Sequence, residues 1–304
     1  MRPLIPALAL LALGSSALAG PKPPASAMFE PEIGYTYASG NYMDLRLANR
    51  AGDMAILVHR TGFGKLRSFD LADENAKRIA YNDDTRLYAQ QWSTQGGVPS
   101  IVGEPDLIFD GPGMPEIPDF SPDGGKLAFS VLSPSEPGIR LYDFSAPTTG
   151  SVLALGGYSV FTVRWHPDGQ SIYFSGYPSG TTDPKRLFRL YLATGSVVRV
   201  SSAENFGFGF DVGRGGAAIK PLLALDNATN LDFYALDGTP AGFGLLRRSL
   251  ARFNCGNTAL IARNLATRKQ SVSIQSGAQF SQQETWSIDP NIHHTDWMRR
   301  VPCV

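Results

Sequence analysis

Charge of one sign, cysteine and histidine are what this chain has little of, and each scarcity removes a class of function. Its 27 Lys and Arg balance 27 Asp and Glu, so no general field draws it to nucleic acid or to an anionic membrane surface. Two cysteines, Cys255 and Cys303, are too few for a disulfide-stapled miniature fold or a thiolate-rich metal centre. Four histidines, His59, His166, His293 and His294, offer little to a zinc site, which needs three or four converging ligands. Beyond the N-terminal segment no stretch of about 20 apolar residues exists to cross a bilayer as a helix. No Gly-x-Ser-x-Gly elbow is there to raise a serine nucleophile, and helical periodicity is hard to find anywhere.

What the chain has instead is one phrase used twice, 45 residues apart: Phe120-Ser-Pro-Asp-Gly-Gly-Lys-Leu-Ala-Phe129 and Trp165-His-Pro-Asp-Gly-Gln-Ser-Ile-Tyr-Phe174. Ser or His, then Pro, then Gly at the fourth position suits a type I turn between two strands. A period of this length marks the blades of a β-propeller. Weaker copies keep the frame: Phe210 stands 45 residues beyond Trp165, Phe253 follows 43 later, and Phe69 leads into Arg78 to Tyr81. Trp297, 44 residues after Phe253, opens a copy that stops at Val304. Its remaining strands are predicted to come from residues 33–37, 43–48 and 54–59, because a sheet array with unpaired ends invites aggregation. The expected fold is all-β, a six-bladed β-propeller closed by pairing of the N- and C-terminal strands. Outer strands are placed at residues 139–144, 186–192 and 231–236, with turns at 193–196 and 237–240. Residues 82–118, rich in Gly and Pro, read as an extended loop on one face.

The first 19 residues carry Arg2, an apolar run from residue 4 to 13, and Ala17-Leu-Ala19 before Gly20, the pattern of a secretory signal. The expected organisation is a signal peptide at 1–19, a flexible leader at 20–30 and a single propeller domain at 31–304. Cleavage near Ala19 would release a soluble periplasmic or secreted product with no transmembrane segment. In that oxidising compartment Cys255 and Cys303 are expected to form a disulfide that clamps the C-terminal strand to its neighbour.

Most candidate chemistry has a plain structural reading. His166 stands where Ser121 does in the preceding copy, and Asp123 and Asp168 belong each to its own turn. His293 and His294, with Asp296, are adjacent residues that a strand turns to opposite faces. The glycine run from Gly207 to Gly216 lacks the helix that a phosphate loop needs. A less ordinary set precedes each repeat aromatic: Ser68, Asp119, Arg164, Gly209, Arg252 and Asp296. Strand alternation sends the aromatic into the packing between blades and its predecessor the other way, toward the channel. Asp119 with Arg164 and Arg252 with Asp296 then form exposed ion pairs worth about 0–1 kcal/mol each, or else Ser68, Asp119, Arg164, Arg252 and Asp296 hold a polar ligand or a partner's inserted segment.

The aromatic-Ser/His-Pro-Asp-Gly turns at 120–124 and 165–169 resemble those of TolB-like propellers, a WD-like repeat class. The resemblance is strong in two copies, degenerate in three others, and covers most of the mature chain. The chain has no room for the α/β domain that precedes the propeller in TolB. The resemblance implies a noncatalytic protein-interaction or ligand-binding scaffold in the bacterial periplasm, without cofactor or metal, whose partner is a protein or polar ligand of the cell envelope. A propeller hydrolase or lyase acting on a sugar or lactone through channel-mouth residues is the alternative that the residues leave open.

Overall fold

The strand Lys126–Leu132 buries five consecutive residues, Leu127 to Val131, which a sheet with one wet face does not do. Both of its faces are covered. Leu127, Phe129 and Val131 pack with Ala80, Leu87 and Phe120 on one side, while Ala128 packs with Val163, Trp165 and Ile172 on the other. Alternation here separates two apolar seams instead of core and solvent.

The structure is a computed structural model that describes residues 31, 33–49, 54–72, 75–204, 209–213, 222–227, 230–246, 248–253, 259–264, 270–276, 279–284 and 292–297. In chain order the strands are β1 (Ile33–Ser39), β2 (Tyr42–Ala48) and β3 (Ala55–Gly62), then β4 (Phe69–Leu71), β5 (Arg78–Asp83), β6 (Arg86–Gln95) and β7 (Val98–Phe109). They continue as β8 (Met114–Phe120), β9 (Lys126–Leu132), β10 (Gly138–Asp143) and β11 (Val152–Gly156), then β12 (Tyr158–Trp165), β13 (Ser171–Pro178), β14 (Arg186–Tyr191) and β15 (Val197–Glu204). The last are β16 (Phe210–Gly213), β17 (Leu222–Asp226), β18 (Asn230–Ala235) and β19 (Pro240–Leu246), then β20 (Arg248–Phe253), β21 (Ala259–Asn264), β22 (Gln270–Ser276), β23 (Gln279–Glu284) and β24 (Ile292–Trp297).

Among the described residues these make six four-stranded antiparallel sheets. Five are consecutive meanders, and the first is assembled from both ends of the chain in the order β24-β1-β2-β3. Ile33 stands opposite Trp297 and Gly34 opposite Asp296. No helix among the described residues is long and apolar enough to cross a membrane.

One pattern in the second strand explains the packing in three of the sheets. In Ile79-Ala80-Tyr81, Leu127-Ala128-Phe129 and Leu223-Ala224-Leu225, the two large residues face the preceding sheet and the alanine faces the following one. Each large side chain fully buried in a seam stabilises the fold by about 1.5–3 kcal/mol. The fourth sheet has Tyr173 in the alanine's place, and its hydroxyl donates to the Leu236 carbonyl at 2.7 Å, the acceptor that a buried phenol requires.

The repeated turns have the expected form. Gly124 and Gly169 adopt φ of 68° and 66°, and their amides donate to the Ser121 and His166 carbonyls at 2.9 and 3.0 Å. Asp123 Oδ1 accepts from Ser121 Oγ at 2.6 Å and from the Gly125 amide at 3.0 Å. Burial lowers the His166 imidazole below its ordinary pKa, and its Nδ1 lies 2.9 Å from Asp168 Oδ2.

Residues 82–118 are a correction to the loop expectation. They end β5, form the long hairpin β6–β7 and begin β8. The prolines misled because β7 is the edge of its sheet, where a residue without an amide hydrogen is tolerated. Of the glycines, Gly96 and Gly97, at φ 59° and 80°, form the two-residue turn, and Gly103, at φ 67°, lies within β7 itself.

Candidate functional site

The first strands of the sheets lie side by side, β24 against β4, β4 against β8, β8 against β12, β12 against β16, β16 against β20, and β20 against β24. Their charged residues therefore meet across sheet boundaries. Equivalent positions can be fixed by backbone geometry. Hydrogen bonds of 2.9 Å from the amides of Ala72, Ser121 and His166 to the carbonyls of Arg78, Lys126 and Ser171 close the same turn in three sheets. Leu71, Phe120 and Trp165 are thus equivalent, and so are the residues before them, Asp70, Asp119 and Arg164.

This corrects the frame in the second sheet by two residues: Asp70, not Ser68, occupies the position of Asp119. The tie to Phe253 identifies Asp211, not Gly209, as the corresponding residue of the fifth sheet. Sequence reasoning anchored on the aromatics Phe69 and Phe210, and a two-residue slip on a strand keeps the same face, so the error left no trace in the hydrophobic pattern. The usable signal was the Asp directly after each of those aromatics.

Three aspartates make the same contact. Asp70 Oδ2 accepts from the Phe120 amide at 2.7 Å, Asp119 Oδ2 from the Trp165 amide at 2.6 Å, and Asp211 Oδ2 from the Phe253 amide at 2.8 Å. Each bond joins one sheet to the next. The charge on the acceptor makes such bonds short and strong. Trp165 adds a second tie, its Nε1 donating to the Asp119 carbonyl at 2.9 Å.

Arg164 occupies the position where the neighbouring sheets carry an aspartate, and it bridges two of them. Its Nε donates to Asp211 Oδ1 at 2.9 Å, its Nη1 donates to the Val163 carbonyl at 2.9 Å, and Nη1 lies 3.8 Å from Asp119 Oδ1. Arg164 is 2 % exposed, Asp119 1 % and Asp211 4 %. The expected exposure of the Asp119–Arg164 pair is therefore corrected: the pair is buried, because the following sheet lays Asp211 and its strand over the guanidinium.

The other expected residues are placed as follows. Ser68 is buried, and its Oγ accepts from the Ile117 amide at 3.0 Å, a link from the second sheet to the third. Arg252 is half-buried directly before Phe253. Asp296 stands opposite Gly34 in the backbone register, and its side chain lies outside the described residues, as do those of His293 and His294. Cys255, Cys303 and, of the 207–216 glycine run, residues 207–208 and 214–216 also lie outside them. Among the described residues no cluster of three or more His, Cys, Asp or Glu could hold a metal ion.

The sequence matches no protein-family model and no curated protein. Solved structures do resemble the fold. TolB from Acinetobacter baumannii superposes with a TM-score of 0.66 at 18 % identity, over 90 % of this chain and 68 % of that one. A chain of a nidogen/laminin complex gives 0.58 at 11 % identity, over 88 % and 98 %. Hydrazine synthase from Kuenenia stuttgartiensis gives 0.51 at 12 % identity, over 79 % and 82 %. The fold is that of a TolB-like β-propeller. Because these structures include both an assembly partner and an enzyme, the likeness decides architecture and leaves activity to the site.

Proposed function

We propose that this protein is an exported, noncatalytic β-propeller scaffold that binds a protein or polar ligand of the cell envelope. In this reading residues 1–19 direct export to the periplasm, residues 31–304 form one domain, and the six sheets are blades of a single closed propeller. The unbroken succession of neighbouring first strands and the pairing of β1 with β24 support the closure. A disulfide between Cys255 and Cys303 belongs to the same proposal.

One observation carries the noncatalytic reading: four charged groups at the first strands, Asp70, Asp119, Arg164 and Asp211, are occupied by ties between sheets. The carboxylates of Asp70, Asp119 and Asp211 hold backbone amides of the next sheet, and Arg164 is shared between two of those carboxylates. General acid or base catalysis needs a group free to exchange a proton with substrate. These groups serve cohesion instead, so recognition falls to the rims. The test is affinity capture with the mature protein from its native envelope, followed by titration of the purified candidate. A saturable one-to-one complex supports the reading. Turnover of lactones or glycosides by the purified protein, with no stable partner, overturns it.

A further inference from the structure

On one face of β2 the chain buries a charge. Met43, Leu45 and Leu47 pack with Phe69 and Leu71 of the second sheet, so the alternate residues Asp44 and Arg46 take the opposite face. The fold does not demand a charge there: β14, the third strand of the fourth sheet, turns Phe188 and Leu190 to the corresponding side. Asp44 is fully buried and is held by two arginines. Its Oδ1 accepts from Arg60 Nε at 2.6 Å, and its Oδ2 accepts from Arg60 Nη2 at 2.9 Å and from Arg46 Nη2 at 2.7 Å.

The charges at this point do not cancel. One carboxylate stands against two guanidiniums, and neither arginine meets a second carboxylate among the described residues. Lys65 and Arg86, by contrast, each face a carboxylate of their own, Asp84 and Asp110. Arg164 is the inverse case, one guanidinium between two carboxylates, and it is sealed inside. At Asp44 the surplus is positive and reaches the surface, because the Arg60 side chain is 50 % exposed.

A guanidinium carries five N–H donors. Asp44 takes two from Arg60, along the edge of Nε and Nη2, which leaves the edge of Nη1 and the second Nη2 hydrogen for a ligand. The same guanidinium lies 5.7 Å from the centroid of the Tyr42 ring, and Tyr42 is 55 % exposed. Tyr42 stands opposite Gly62 in the register, where the chain turns: the Lys65 amide donates to the Gly62 carbonyl at 3.2 Å, with Gly64 at φ 82°. That turn carries Phe63, also exposed, whose amide donates to the Asn41 carbonyl at 2.9 Å. An arginine beside exposed aromatics is the composition that binding hot spots favour.

We infer that this corner of the first sheet binds a partner protein through an acidic side chain, Asp or Glu, that adjoins a large apolar residue, an assignment that rests on the scaffold reading and gives it a surface. The remaining edge of Arg60 meets the carboxylate with two parallel N–H···O bonds, and the exposed rings of Tyr42 and Phe63 cover the apolar neighbour. Arg46, its guanidinium over the Tyr37 ring at 5.2 Å, keeps Asp44 answered while Arg60 is shared. One surplus charge suits one carboxylate. A doubly charged phosphate would stay half uncompensated with Asp44 close by, so the site selects against it.

The test is a titration of the mature protein with the blocked peptide acetyl-Ser-Asp-Leu-Ser-amide, followed by arginine Nε–H and backbone amide resonances in ¹⁵N NMR. The Arg60 Nε–H and Tyr42 amide signals should shift saturably. The Asn counterpart of the peptide should bind at least about tenfold more weakly, as loss of a charge-assisted pair implies. Arg60→Lys keeps a charge beside Asp44 but removes the fork, and it should weaken binding severalfold, as should Tyr42→Ala. Arg86→Gln, at a paired arginine elsewhere, should leave the affinity unchanged. Equal affinity for the Asp and Asn peptides, no saturable shift, undiminished binding by Arg60→Lys, or tighter binding of inorganic phosphate overturns the proposal. Should Arg60→Lys fail to fold, the Asp against Asn comparison on the unaltered protein decides alone. The peptide measurement needs no captured partner, so its failure is distinct from a failure of the scaffold reading.

Discussion

Replacing Arg164 by Ala is the sharpest trial of the inter-sheet ties. The change removes the guanidinium from between Asp119 and Asp211, leaving two buried carboxylates that keep their backbone amides but lose their shared counter-charge. Removing one partner of a buried pair costs about 3–5 kcal/mol, because the remaining charge is uncompensated. An exposed pair would cost only about 0–1 kcal/mol, so the two placements of Arg164 differ by an amount that equilibrium denaturation resolves easily. The mature protein should lose about 3–5 kcal/mol in urea titration, with a fall in Tm of roughly 6–20 °C by the usual relation for larger domains. The double variant Arg164→Ala with Asp211→Asn should recover part of the loss, since one orphaned charge is removed while an amide oxygen can still accept from Phe253. A loss under about 1 kcal/mol for Arg164→Ala would refute the reasoning and mean that water reaches the pair.

Three further outcomes follow from the same geometry. Gly124→Val and Gly169→Val should each destabilise by about 1–2 kcal/mol or more, because φ of 68° and 66° is a region that β-branched residues resist, and near-zero losses in denaturation would contradict the turn assignment. Nonreduced peptide mapping of exported protein should find Cys255 joined to Cys303, a bond worth about 3–4 kcal/mol in the chain-entropy model, and free thiols there would dismiss it. Asp44 is buried: burial pushes its pKa up, but hydrogen bonds from Arg60, at 2.6 and 2.9 Å, and Arg46, at 2.7 Å, outweigh that and hold it below the usual value of 3.8. Because the folded value is the lower one, this stabilisation is full above about pH 4 and is lost as pH falls through the folded pKa; Asp44→Asn should cost about 2 kcal/mol at neutral pH and flatten the acid limb of the Tm profile, and an unchanged limb would count against it.

The fold was legible because its repeat is written in turn chemistry, which depends on a few residues close together in sequence. The Ser/His-Pro-Asp-Gly phrase at Ser121 and His166 needs only local geometry. The turn at 193–196 likewise falls between β14 and β15, and that at 237–240 lies between β18 and β19 up to Pro240, the first residue of β19. The loop error over residues 82–118 had the opposite cause: whether a proline is tolerated depends on whether its strand is an edge, a property of the sheet and not of the segment. Arg164 failed for a similar reason. Alternation assigned its face, but burial was decided by Asp211, 47 residues away.

That division bears on where binding specificity can reside. A residue at the position of Asp70, Asp119 or Asp211 must satisfy an amide of the adjoining sheet, so the geometry of packing constrains its identity before any partner does. Even the exception, Arg164, is drawn into the same contacts, since it answers the carboxylates on both sides. Positions at the turn ends answer no amide of the adjoining sheet in this way, though their side chains still pack, Phe144 against Phe120 and Tyr142. There Phe144 and Leu192 hold the same backbone place with the same hydrogen bond, and the fold accepts either. Phe144→Leu should still cost about 1–3 kcal/mol in urea titration, because it removes ring contacts to Phe120 and Tyr142, at 5.8 and 5.0 Å between centroids, that a smaller aliphatic chain does not replace; a loss near zero would show that the fold is indifferent to the aromatic at this place.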